Sequence, residues 1–181
     1  IIFVDIALAQ LAALGILIFE SIDHQHSEWE IWLYSSTAVL AGAIFFAYTR
    51  RFIHRIPQEA VIGIVYVVGA SVALLIASKS AHGAEHLRNT LNGSILWVTW
   101  PKIVTFLGMV ALIAIPHWVY QDRFWKVSDQ YRQIESKDSQ FILWDFLFYL
   151  SLGLIIVISV KTAGIFLIFT FLIVPAVVGA L

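Results

Sequence analysis

The chain has 181 residues, of which 60% are hydrophobic and only 13% charged, and its mean hydropathy is +0.87. A soluble domain carries about 25% charged residues, so this composition excludes an ordinary water-soluble globule and points to a membrane protein. A net charge of −1 offers no handle for nucleic acid, and the lack of cysteine excludes disulfides and thiolate metal sites. Metal ligands must then come from His, Asp, Glu or backbone oxygen.

The sequence opens on "IIFVDIALAQ" and closes on "LIVPAVVGAL", both inside apolar runs. This predicts one transmembrane domain over residues 1–181, cut from a longer protein at both ends. A helix needs roughly 20 apolar residues to cross a bilayer. Six runs approach that length: Ile1–Phe19, Ile31–Tyr48, Ala60–Ala77, Ile103–Tyr120, Phe141–Val160 and Gly164–Leu181. They are long and do not alternate, which predicts helices rather than barrel strands. The expected fold is an all-α polytopic bundle of about six membrane segments, because lipid offers the backbone no hydrogen-bond partner.

The connections predict orientation. "ESIDHQHSEWE" (20–30) is acidic and has no Lys or Arg. "TRRFIHRIP" (49–57) and "QDRFWKVSDQYRQIESKDSQ" (121–140) together hold seven of the eleven Lys and Arg, which places both in the cytoplasm. The 79–101 connection and the "KTAG" turn at 161–164 then fall outside. All seven Trp lie at expected interfaces, as an aromatic belt requires. In the 79–101 connection, Leu87, Leu91 and Ile95 recur every four residues, predicting a short amphipathic helix on or dipping into the outer surface. In the 121–140 loop, Ser128 or Asp129 can cap a short helix that presents Arg132 and Glu135, a natural docking element for a soluble partner.

"AHGAEHL" contains His82, Glu85 and His86, the H-x-x-E-H pattern of inverted-motif zinc proteases. On one helix these three share a face and could converge on a metal. The downstream acids Asp122, Asp129, Glu135, Asp138 and Asp145 fall on or near the opposite side of the bilayer, so a further ligand is not at hand. Two other readings stand beside the protease: an ordinary polar surface segment, and a cation contact at the outer mouth of a transport path. Asp23, His24, His26, Glu28 and Glu30 are either a solvated loop or a second cation contact. Gln10, in mid-segment, either bonds a neighbouring helix or faces a pathway. Asp5, Glu59 and Asp145 lie at cytoplasmic segment ends, where capping a helix start is the cheaper explanation. Gly164 and Pro175 predict a deformable last segment.

Four stretches resemble the permease subunits of bacterial ABC metal-ion importers of the zinc/manganese type. "FVDIALAQLAALG" (3–15) is similar to that family's Phe-Gly-Asp-x-Leu-Ala-His-x-x-x-x-Gly helix start. "EAVIGIVYVVGASVALLIAS" (59–78) looks like its acidic-x-x-x-Gly helix, and "LNGSIL" (91–96) like its Leu-Phe-Gly-x-Ile-Leu element. "VKTAGIFLIFTFLIVPAVVGAL" (160–181) is similar to its Val-Gly-x-Leu-Leu…Leu-Ile-x-Pro-Ala signature, the most specific of the four.

The resemblance implies a permease that does no covalent chemistry and binds no cofactor of its own. It would carry a divalent metal ion (zinc, manganese or iron class) by alternating access in the bacterial inner membrane. Two permeases would pair with two cytoplasmic ATPases and take metal from an extracytoplasmic binding protein. Ser128, Asp129, Tyr131, Arg132 and Glu135 would form the coupling helix that receives the ATPase stroke. Asp5, Gln10 and Glu59 would border the translocation path, and His82, Glu85 and His86 would contact metal. The family's Asp and His of the first motif align with Ile6 and Gln10 here, Asp5 is one position off, and a His of some members aligns with Val67. The cargo therefore stays open between a bare ion and a chelate. The rivals are an intramembrane zinc hydrolase and a secondary transporter.

Overall fold

A computed structural model describes residues 3–22, 28–49, 56–79, 83–130 and 139–179. These residues form eight α-helices and no strand: α1 (Val4–Ile22), α2 (Glu28–Thr49), α3 (Gln58–Lys79), α4 (Gly83–Asn92), α5 (Trp100–Val119), α6 (Gln121–Gln130), α7 (Ser139–Ala163) and α8 (Ile165–Val178). One short 3₁₀ turn spans Ile95–Trp97. The six apolar runs correspond to α1, α2, α3, α5, α7 and α8. Four helical segments are long and apolar enough to cross a membrane: Trp29–Thr49, Gln58–Lys79, Trp100–Val119 and Ile142–Ala163. The 14 residues of α8 would rise only about 21 Å, short of the roughly 30 Å hydrocarbon core.

The core is built around α1. Val4, Ala7, Leu8, Ala9, Ala12 and Ala13 are buried, and the helix is packed by α2, α3 and α7, with α4 and α8 adding smaller contacts. The run "ALAQLAALG" explains this: small side chains let several backbones come close at once, which is how helices associate where lipid supplies no hydrophobic drive. At Gly15 a Cβ would lie 2.8 Å from the Tyr34 carbonyl oxygen, and the Ser35 hydroxyl donates to the Ala12 carbonyl at 3.1 Å. Thus α1 and α2 touch almost backbone to backbone.

At the end where α1, α3 and α7 begin, Phe46 of α2 and Tyr149 of α7 meet edge to face with centroids 6.2 Å apart, both fully buried. The Tyr149 hydroxyl accepts from the buried Gln58 amide at 2.8 Å, tying α3 to α7. Tyr149→Phe removes that acceptor inside the bundle. The expected cost is about 1 kcal/mol, more if the amide finds no new partner. A thermal unfolding midpoint in detergent reads it, and an unchanged midpoint would show that the bond adds nothing.

By contrast, α5 has no buried residue and rests mainly on α7 and α6. Its exposed Val104, Leu107, Leu112, Ile115 and Trp118 form an apolar surface that suits lipid or a neighbouring protein, not water. Trp97 and Trp100 at its start, Trp118 in its last turn and Trp125 just beyond its end are all largely exposed, two groups of aromatic side chains about one helix length apart.

Candidate translocation site

The end opposite the Phe46–Tyr149 contact is closed by α4. This helix dips into the surface, one of the two placements its amphipathic pattern allowed, and about half of its residues stay exposed. It is wedged against α3, α8, α1 and α7. Three close approaches hold it. A Cβ on Gly83 would collide with the Ala77 backbone. Gly93, at φ +64°, lies against Ala163 and Gly164, and Gly164, at φ +77°, lies against Asn92 and Gly93. The Ser94 amide then donates to the Thr162 carbonyl at 3.0 Å. The "LNG" and "KTAG" stretches are therefore two halves of one backbone-to-backbone clasp. Both glycines hold positive φ and have no room for a side chain, a combination only glycine meets cheaply.

The wedge carries His86 to the end of α1, where its Nδ1 lies 2.9 Å from Oε2 of Glu20. The Thr90 hydroxyl donates to the His86 carbonyl one turn on, at 2.9 Å. Glu85 is exposed, so it does not share the sheltered position of its neighbour. His82 lies outside the described residues, as do His24 and His26. Among the described residues no three His, Asp or Glu side chains group closely enough to hold a metal. Glu20 is the acidic partner that sequence reasoning missed. Its only signal is a carboxylate closing an otherwise apolar helix.

In mid-bundle, Gln10 is 6% exposed and its side chain packs on Gly69 of α3, where a Cβ would stand 3.2 Å from Gln10 Cγ. Gly69 makes room for it. At the far end, Asp5 is buried in the first turn of α1 and accepts from the Ile6 amide at 2.9 Å. Glu59 also sits in a first turn, of α3, and is exposed. Asp145 differs from the capping expectation. Because α7 begins at Ser139, Asp145 lies well inside the helix, and it is only 5% exposed. Asp5 and Glu59 thus lie at the same end of the bundle, where α1 and α3 begin, and Gln10 lies deeper along α1.

Beyond α5 the chain turns at once into α6: the Tyr120 amide donates to the Pro116 carbonyl at 2.9 Å and the Arg123 amide to the Tyr120 carbonyl at 2.9 Å. Ser128 and Asp129 accordingly fall in the last turn of α6 and not at a helix start; the helix is nucleated earlier by this turn. Tyr131, Arg132 and Glu135 lie outside the described residues. Phe124 anchors α6. Its ring stacks on His117 (centroids 4.5 Å, planes 5° apart) and meets Trp144 edge-on at 5.3 Å. His117 donates through Nδ1 to the Ile113 carbonyl at 3.0 Å, and its Nε2 lies 3.2 Å from the Ser151 hydroxyl. These groups border an apolar cavity of about 520 Å³ between α5, α6 and α7. Gly164 starts α8 and Pro175 lies within it.

One end of the bundle thus carries the α4 wedge, and the short helix α6 packs on α5 and α7 at the other. The chain matches the ABC 3 transport family over residues 7–181, nearly its whole length. The chain belongs to that family. It is therefore a multi-pass membrane permease of an ABC transporter, a transport component and not a catalytic subunit. No curated protein and no solved structure matches this permease.

Proposed function

We propose that this permease imports divalent metal ions of the zinc, manganese or iron class, by alternating access coupled to a partner ATPase. In this reading two copies form the pathway in a bacterial inner membrane, an extracytoplasmic metal-binding protein delivers the cargo, and α1 and α8 complete a set of six spans. The Arg-rich 49–57 and 121–140 connections face the cytoplasm, which makes the α4 wedge the outer closure. The observation that carries the cargo class is the imidazole–carboxylate pair of His86 and Glu20, held at 2.9 Å on that closure. Nitrogen and oxygen donors together suit a borderline divalent cation. The residues expected to border the path are Gln10, Asp5 and Glu59, and α6 with the residues after it is the receiving element for the ATPase.

The test is uptake of radioactive zinc and manganese by proteoliposomes that hold the permease with its ATPase and binding protein. ATP-dependent accumulation of either metal is expected. Uptake that needs no ATPase would favour a secondary transporter, and ATP-dependent uptake of a solute other than metal would remove the cargo assignment.

A further inference from the structure

We propose that the apolar cavity between α5, α6 and α7 is a binding slot for one acyl chain of a membrane phospholipid, whose phosphate lies at the level of Arg123. The inference does not depend on which solute the permease carries.

The slot has the depth of a chain in one leaflet. Its long walls are α5 and α7, both of which contain segments long and apolar enough to cross a membrane. At one end, next to α6, Tyr120 and Trp144 face each other with ring centroids 5.6 Å apart. At the other end lie Leu112 and Leu154. From Leu143 to Leu154 the α7 wall rises about 16 Å, close to half of the roughly 30 Å hydrocarbon core. Leu112, Leu143 and Leu147 line the slot and are exposed, so it opens sideways at the depth of lipid tails. Its volume of about 520 Å³ lies within the roughly 300–1,000 Å³ of small-molecule sites and leaves room for a chain of that length.

The wall suits hydrocarbon and not water. His117 donates through Nδ1 to the Ile113 carbonyl, and the Ser151 hydroxyl meets both His117 Nε2 and the Phe148 carbonyl. These polar groups direct their hydrogen bonds into the wall itself. A trapped water needs two to four polar partners, whereas an acyl chain needs none.

The mouth has the opposite character. Phe124 of α6 turns inward onto His117 and Trp144, and its chain neighbours Arg123 and Trp125 are exposed. Basic side chains at this level attract lipid phosphate, and Trp and Tyr settle among headgroups. Asp122 is exposed beside Arg123, which suits a headgroup that carries an amine as well as a phosphate. The helices also need a filler. With no buried residue, α5 leaves its packing on α6 and α7 incomplete, and a chain in the slot touches all three. On the coupling role proposed above, such a lipid stiffens the joint between α6 and the membrane helices.

The probe is a phosphatidylethanolamine with a photoactivatable diazirine at the end of one acyl chain. It is placed in vesicles of phosphatidylethanolamine and phosphatidylglycerol that hold the complete transporter, and cross-linked residues are mapped by mass spectrometry. In wild type, label is expected to concentrate on Leu112 and Leu154, well above Val104 and Leu107, which are exposed on α5 outside the slot. A diazirine near the headgroup should shift the label to Tyr120 and Trp144. Leu147→Trp, which fills the middle of the slot, should remove most of the slot label. Leu107→Trp should leave it unchanged, and Arg123→Gln should reduce it. Even labelling of Val104, Leu107 and Leu112 would reveal ordinary boundary lipid and overturn the proposal. So would a wild-type slot that takes no label, the result expected where another protein segment or a second copy fills it. Slot labelling by a diazirine fatty acid and not by the phospholipid would overturn it too, as would full slot label in folded Leu147→Trp or Arg123→Gln. The wild-type map alone decides between slot and boundary lipid, so the test stands even where Leu147→Trp lowers the folded yield.

Discussion

Gly164→Val is expected to leave little folded permease in the membrane. Gly164 holds φ +77° and ψ 162°, an extended positive-φ region that is essentially glycine-only and costs other residues about 1–3 kcal/mol. Its added Cβ would collide with the Asn92 carbonyl carbon and the Gly93 amide nitrogen. Both are backbone atoms, so no rotamer change relieves the clash. The helices would have to separate, which breaks the Ser94–Thr162 bond and lifts the α4 wedge from α7 and α8. Overpacking adds about 1–3 kcal/mol, and the total approaches the few kcal/mol by which a domain of this size is stable. Gly93→Val should fail in the same way, since its Cβ would strike Ala163 and Gly164. The double variant should be little worse than either single one, because both open the same contact. The yield of monodisperse protein in mild detergent measures the effect. A wild-type yield for Gly164→Val would mean that the clasp is not formed as described.

The helices themselves were legible in the sequence because apolar length is set by the bilayer and needs no partner. The six runs match α1, α2, α3, α5, α7 and α8 to within a few residues at most ends. Which of its two placements α4 takes, on the surface or dipping into it, was not legible. Leu87 and Leu91 fall within α4, whereas Ile95 lies beyond it in the 3₁₀ turn and is exposed; an amphipathic stripe also reads the same whether it faces lipid headgroups or a cleft between helices. What decides is the pair of glycine contacts on Ala77 and the α7–α8 turn, and those belong to tertiary approach. The loop after α5 was misread at its start for a related reason. Ser128 and Asp129 look like caps, yet the turn at Tyr120 begins α6 earlier, and Phe124 finds a stacking partner in His117 that no local spacing announces.

The site residues divide in the same way. Asp5 bonds locally, to the amide of the next residue. Gln10 is buried as a polar residue in mid-segment must be, and Gly69 opposite explains how it fits. The His86–Glu20 and Gln58–Tyr149 pairs each join two helices far apart in the chain. Pairing of that kind depends on which helix faces show toward each other. With α1 packed on nearly every side, its polar residues can only meet partners on its neighbours.

Phe124→Ala is expected to separate ATP hydrolysis from uptake. On the proposed coupling role, α6 and the residues after it take the ATPase stroke and pass it to the membrane helices. A stroke is passed on only if the receiving element is stiffly joined to what must move. Among the described residues that joint is largely the Phe124 ring, stacked on His117 of α5 and set edge-on to Trp144 of α7, with Phe148 at 6.4 Å. Each aromatic contact is worth about 0.5–1.5 kcal/mol beyond the area it buries, so removing the ring should cost about 2 kcal/mol of docking, more than tenfold in the docked population. The bundle core does not include Phe124, so the permease should still fold. Uptake in proteoliposomes should fall about tenfold while ATP hydrolysis by the assembled complex persists. Phe124→Trp keeps a flat ring that can stack on His117 and should retain most of the uptake, which a general loss of stability would not allow. If Phe124→Ala keeps the wild-type ratio of metal moved to ATP hydrolysed, α6 is not the transmitting element and the coupling role must be sought elsewhere in the chain.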